Sequence, residues 1–182
     1  MGYQRAGFEV VGVDISPQPN YPFAFAQADV IEFLRDGGAA GFDAIHASPP
    51  CQRYSYATPT GHQNGHQDLV AATRELLQAT GLPYVIENLL RSPIRRDLIL
   101  CGTALGLTVR RHRAFELSFA SSALRSICQH GPDNLAFDHG VKQLESAYRD
   151  AMGCEWMSVK ESREAIPPVY TEFIASRLVG MT

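Results

Sequence analysis

Cys51 is the residue of this chain best suited to covalent chemistry. It follows Ser48-Pro49-Pro50, and the apolar run 42–47 before them reads as a buried strand. Successive prolines fix φ and remove two backbone donors, so the strand cannot continue past them. The thiol then stands at the mouth of a strand end, where open α/β sheets place their ligands. Cysteine is the strongest intrinsic nucleophile among side chains, and a rigid Pro-Pro corner would present it. The alternative is a small buried hydrophobe, the common state of an unbridged cysteine.

Other chemically capable groups also fall at strand ends. The run 82–90 carries Glu87-Asn88, a carboxylate and an amide that are rarely buried without partners. The run 8–15 ends at Asp14, where a nucleotide-binding βαβ unit puts its ribose-binding acid. Asp29 stands where a third strand tip would be, or else caps the helix that follows. Arg91, Arg95, Arg96, Arg110, Arg111 and Arg113 cluster in an otherwise near-neutral chain. They predict either phosphate contact or a solvated face. The polar segment 58–67, with Gly61 and Gly65, reads as a surface loop or one that closes over a substrate.

The elements that must position these groups alternate strand and helix. Helices are predicted over 31–35, 68–80 and 142–152, with Asp68 as a cap and Gly81 as a stop. Pro167-Pro168 opens a last helix, and Trp156 reads as a packing anchor. At 182 residues and net charge −3, one α/β domain is expected, with no global basic signature. The four cysteines form no CxxC pair, which suggests a reduced, intracellular protein. Cys128 and His130 offer two metal ligands where structural zinc normally takes four, so no metal is expected. No run is long enough to span a membrane.

Four motifs in order resemble the DNA cytosine-5 methyltransferases, most of all the compact versions found in bacteriophages. They are Ser-Pro-Pro-Cys-Gln at 48–52, Glu-Asn-Leu at 87–89, Arg-Arg-His-Arg-Ala-Phe at 110–115, and Ala-Ile-Pro-Pro with Ile-Ala-x-x-Leu over 165–178. The resemblance implies a methyltransferase Rossmann-like sheet, with residues 119–160 as a small inserted target-recognition region. It implies methyl transfer from S-adenosyl-L-methionine to C5 of cytosine in double-stranded DNA. Cys51 would add to C6, Glu87 would donate to or hydrogen-bond N3, and Arg113 would hold the flipped base. Gln52, Ser55, Asn88 and Arg111 would contact DNA or frame the site. Asp14, Ile15, Asp29, Val30, Pro49 and Pro50 would line the cofactor. A cytoplasmic, monomeric protein of a bacterial or phage-infected cell, of the restriction–modification kind, is implied as well.

The chain departs from the family pattern in three places. The Phe-x-Gly-x-Gly turn and first strand are absent from the sequence, Arg163-Glu164 replaces Gly-Asn, and Val109 replaces a glutamine. We therefore expect an N-terminally truncated sheet that binds the cofactor poorly. The alternatives are an inactive DNA-binding remnant, or a pyrimidine-nucleotide methylase of thymidylate-synthase type.

Overall fold

The computed structural model describes residues 1–59, 61–120, 128–135 and 142–179, with the side chains of 142–145 left undescribed. In chain order the elements are α1 (Gly2–Arg5), β1 (Val11–Asp14), β2 (Ala24–Gln27), α2 (Val30–Arg35), β3 (Ile45–Ala47), α3 (Val70–Thr80), β4 (Tyr84–Asn88), β5 (Leu98–Leu100), β6 (Arg113–Leu117), α4 (Lys142–Ala151), α5 (Val159–Glu164) and α6 (Pro168–Leu178). The protein is mixed α/β and divides into two compact units. One comprises Ala28–Ile99 and His112–Arg125; the other comprises Met1–Gln27, Leu100–Arg111 and Ser126–Thr182. No described helix is long and apolar enough to cross a membrane.

The first unit is built on a four-stranded sheet ordered β3-β4-β6-β5. β3 and β4 run parallel with Ala47 beside Ile86, and β6 runs antiparallel to β4 with Glu87 opposite Phe115. Side chains alternate between the two faces of a strand. Ile45, Ala47, Tyr84, Ile86 and Ala114 pack on one face with Leu34 of α2 and with Val70 and Leu77 of α3. By the same register His46, Val85, Glu87, Arg113 and Phe115 take the other face.

Local chemistry sets the ends of these helices. Asp29 Oδ1 accepts from the amides of Ile31 and Glu32 at 2.8 and 3.2 Å, so the capping role of this residue is realised. Asp68 Oδ1 accepts from Val70 N at the start of α3. Gly81 ends α3 at φ +70°, the left-handed conformation that glycine adopts without strain.

In the second unit β1 and β2 form a separate parallel pair, with Asp14 beside Gln27. α1 lies against the start of α6, and a Cβ on Gly2 would overlap the Pro168 carbonyl and Thr171 Oγ1. Pro168 opens α6 where a missing N–H costs nothing. Val109, Tyr148, Met152 and Cys154 form this unit's core, and Trp156 packs against them.

Candidate active site

Asn88 ties the Pro-Pro corner to the sheet. Its Nδ2 donates to the Pro49 carbonyl at 2.9 Å, and its Oδ1 accepts from Leu89 N at 2.8 Å. The amide is buried and fixed at both ends, so the corner is anchored two residues before Cys51. Cys51 is half-buried and begins the 3-10 turn Gln52–Tyr54. Because β3 and β4 are parallel neighbours, the corner and the Glu87-Asn88 tip share the C-terminal edge of the sheet.

Glu87 faces away from Asn88, as alternation requires. Arg113 lies diagonally across from it on β6, within reach of a long side chain. Arg113 Nε meets Glu87 Oε1 at 2.8 Å with both side chains largely buried, a short charge-assisted contact. Arg113 Nη1 also donates to the His112 carbonyl at 2.8 Å. Two of the three residues proposed as catalytic from sequence, Glu87 and Arg113, thus touch, and Asn88 fixes the loop that carries the third.

The segment after Cys51 is tied back on itself. Thr58 Oγ1 donates to the Gln52 carbonyl at 2.7 Å, Gln63 Nε2 donates to the Ser55 carbonyl at 3.1 Å, and Ser55 Oγ accepts from Ala57 N. The Gln52 side chain is exposed. Tyr56 is 85% exposed, and the Arg91 guanidinium stacks over its ring at 4.2 Å.

Half of the arginine cluster is engaged by acids or by buried polar groups. Arg95 meets Asp97 and Glu116, and Arg113 meets Glu87. Arg111 is buried in the second unit, where it donates to Tyr148 Oη at 2.7 Å and to the Arg163 carbonyl at 2.9 Å. Its own carbonyl accepts from Tyr170 Oη. Of the two roles considered for Arg111, the framework role describes these contacts. Arg91, Arg96 and Arg110 are exposed, and Arg95 is exposed as well despite its contacts.

Sequence reasoning passed over His46, which lies on the Glu87 face of β3. Its ring meets Phe115 edge-on at 6.4 Å, and Nε2 is 3.4 Å from Ser48 Oγ. Loss of solvation pushes its pKa down to about 4, so the ring is neutral near pH 7. A histidine inside an apolar run just before the Pro-Pro corner was the available signal.

The cofactor candidates fall in different settings. Asp14 is exposed at the tip of β1, with Oδ1 accepting from Ser16 N at 2.7 Å, and Ile15 beside it is 65% exposed. Asp29 commits Oδ1 to the cap of α2, and Val30 is half-buried in that helix's first turn. Pro49 is buried and Pro50 exposed.

No family model matches the chain, and no curated protein matches it. Among solved structures it is similar to a mutant of Spodoptera frugiperda DNMT2, with a TM-score of 0.48 and 16% identity over 82% of this chain. The similarity spans 60% of the length of that protein.

Proposed function

We propose that this chain transfers a methyl group from S-adenosyl-L-methionine to C5 of cytosine in DNA, with Cys51 as nucleophile. The observation that carries this is the hydrogen bond from Asn88 to Pro49. It links the cysteine corner to the tip of β4, where Glu87 meets Arg113 of β6. C5 of cytosine is too weak a nucleophile to attack a sulfonium methyl. Addition of the Cys51 thiolate to C6 turns the ring into an enamine, and C5 gains the electron density it lacks. The ring must then carry a proton or a hydrogen bond at N3. Glu87, paired with Arg113, would meet N3 as a carboxylate and accept a hydrogen bond from the proton that N3 takes from water as the thiolate adds and returns to water when the thiolate leaves. Arg113 fixes the Glu87 carboxylate in place for that contact. The target base must leave its stack, at a cost of a few kcal/mol. Loss of the C5 proton then expels the thiolate and restores the aromatic ring.

The residues present fit the donor in one respect. An exposed carboxylate at the tip of a parallel strand, Asp14 with apolar Ile15 beside it, suits a ribose and the adenine attached to it. When bound, the donor supplies an electrophilic methyl carbon. The strand plan agrees with a Rossmann-like sheet. The described strands form a β1-β2 pair and a β3-β4-β6-β5 sheet.

The test is trapping on duplex DNA containing 5-fluorocytosine, in the presence of the methyl donor. Fluorine cannot leave C5 as a proton does, so the Cys51–C6 adduct persists through denaturing electrophoresis. A covalent complex that disappears in Cys51→Ser supports the proposal. No complex with DNA overturns it. A complex formed only with a free fluoropyrimidine nucleotide assigns the chain to nucleotide methylation.

A further inference from the structure

We propose that Cys101, Cys128 and His130 bind a zinc ion, a site separate from the proposed methyl-transfer chemistry. All three belong to the second unit. Their ligand atoms lie within 4.8 Å of one another, and Cys101 Sγ is 3.3 Å from His130 Nε2. Zinc–sulfur and zinc–nitrogen bonds set tetrahedral edges of about 3.8 Å between sulfurs and about 3.5 Å between sulfur and nitrogen. The observed spacing, 3.3 Å for one pair and no more than 4.8 Å for any, admits an ion with shifts of about 1 Å or less. Two thiolates and one imidazole make a soft donor set that selects zinc over the hard, oxygen-seeking cations.

One short segment of backbone supports both halves of the site. Cys101 leads into a turn at Gly102, where an added Cβ would overlap the Val109 carbonyl. Beyond His130 the chain is pinned to the same place: Leu135 N donates to the Thr108 carbonyl at 2.8 Å, and Arg110 N donates to the Leu135 carbonyl at 2.7 Å. Gly131 N donates to Asn134 Oδ1 at 2.6 Å and closes the intervening turn. Two distant stretches of sequence are thus held on 108–110 with their sulfur and nitrogen atoms converging. The burial is graded, with Cys101 buried, Cys128 half-buried and His130 exposed, which leaves the ion a route in. On binding, both thiols release protons to solvent and no electrons move. The fourth coordination position falls to water or to another side chain.

The experiment is titration of the reduced, full chain with cobalt(II), followed by displacement with zinc. The expected result is one cobalt per chain, with a thiolate-to-cobalt charge-transfer band and the intense visible bands of a tetrahedral ion. Zinc should abolish both signals. Cys128→Ser and His130→Ala should each weaken binding by at least about 100-fold, beyond the 10–100-fold cost of losing an outer partner of a metal ligand. Neither residue is fully buried, so both variants should fold, and circular dichroism checks that they do. Cys51→Ala should bind cobalt as the parent does, so that failure here and failure of the methyl-transfer proposal are read separately. The proposal is overturned by the absence of a stoichiometric cobalt signal, by an unchanged signal in Cys128→Ser, or by a Cys101–Cys128 disulfide that persists under reducing conditions.

Discussion

Glu87 on β4 and Glu116 on β6 are both buried glutamates that meet arginines, on opposite faces of one sheet. Glu116 is held from every side. Arg74 of α3 donates to both of its oxygens at 2.8 Å, Arg95 N donates at 2.9 Å, and the Arg95 guanidinium lies at 3.4 Å. Burial raises its pKa, but the Arg74 hydrogen bonds, the Arg95 amide and both guanidinium charges outweigh that, and the net shift is downward. Glu87 meets the Arg113 guanidinium at the strand end beside the cysteine corner. Saturating a carboxylate with donors inside a core serves stability. A carboxylate at the edge where ligands bind is placed to serve a reaction.

Glutamine replacement at each position should separate the two roles. Glu87→Gln keeps the shape and a hydrogen bond to Arg113 but removes the charge that would hold a proton at N3. The rate of adduct formation on fluorocytosine DNA should fall by about 10²–10⁴-fold, with a smaller loss of stability than at Glu116. Glu116→Gln should instead lower the unfolding free energy by about 1–3 kcal/mol, because a fully buried side chain loses its charge-assisted hydrogen bonds to two partly exposed arginines. Urea denaturation followed by circular dichroism measures this loss. If folded Glu116→Gln lost trapping as completely as Glu87→Gln, the distinction between the two carboxylates would break down.

Acid should sharpen the contrast between the faces. The folded pKa of His46 is depressed from 6.5 to about 4, so the unfolded chain takes up that proton first as pH falls. His46 therefore costs no stability above pH 6.5, and stability drains as pH drops from 6.5 toward 4, by about 1–3 kcal/mol in all. Glu116 is also depressed, from 4.5, so its contribution is present above 4.5 and is lost only at lower pH. Urea midpoints at pH 7 and pH 5 should diverge in the parent and converge in His46→Gln. Equal divergence in both proteins would remove His46 from the account.

Features controlled by neighbouring residues were legible in the sequence. Gly81 stops α3, Pro167-Pro168 opens α6 and Asp29 caps α2, because φ preferences and short side-chain bonds act over a few residues. The helix α5 was equally readable, since Ser158 and Glu161 form a capping box, yet the predicted elements omit it. What could not be read were pairings across long separations. Arg111 reaches the Arg163 carbonyl, Arg74 reaches Glu116, and Cys101 meets His130. A cluster of arginines in sequence says nothing of which carboxylate or carbonyl each will find. Cys128 and His130 counted alone fall short of a metal site until the fold brings Cys101 beside them.

The smallest predicted effect concerns the bond that joins the cysteine corner to the sheet. Asn88→Ala removes the donor to the Pro49 carbonyl and leaves that oxygen on a buried residue without its partner. The cost in stability should be about 1–2 kcal/mol, near that of one unsatisfied buried group. The same loss frees the Pro-Pro corner to move, and a shift of about 1 Å in a reacting atom can slow a step by up to about 100-fold. Trapping should therefore slow more than the stability loss alone explains, at a temperature where the variant is fully folded. Asn88→Asp keeps the acceptor for Leu89 N but cannot donate to Pro49, so it should share the defect. If Asn88→Asp trapped DNA at the parent rate, the clamp would be irrelevant to chemistry and Cys51 would be positioned by the prolines alone.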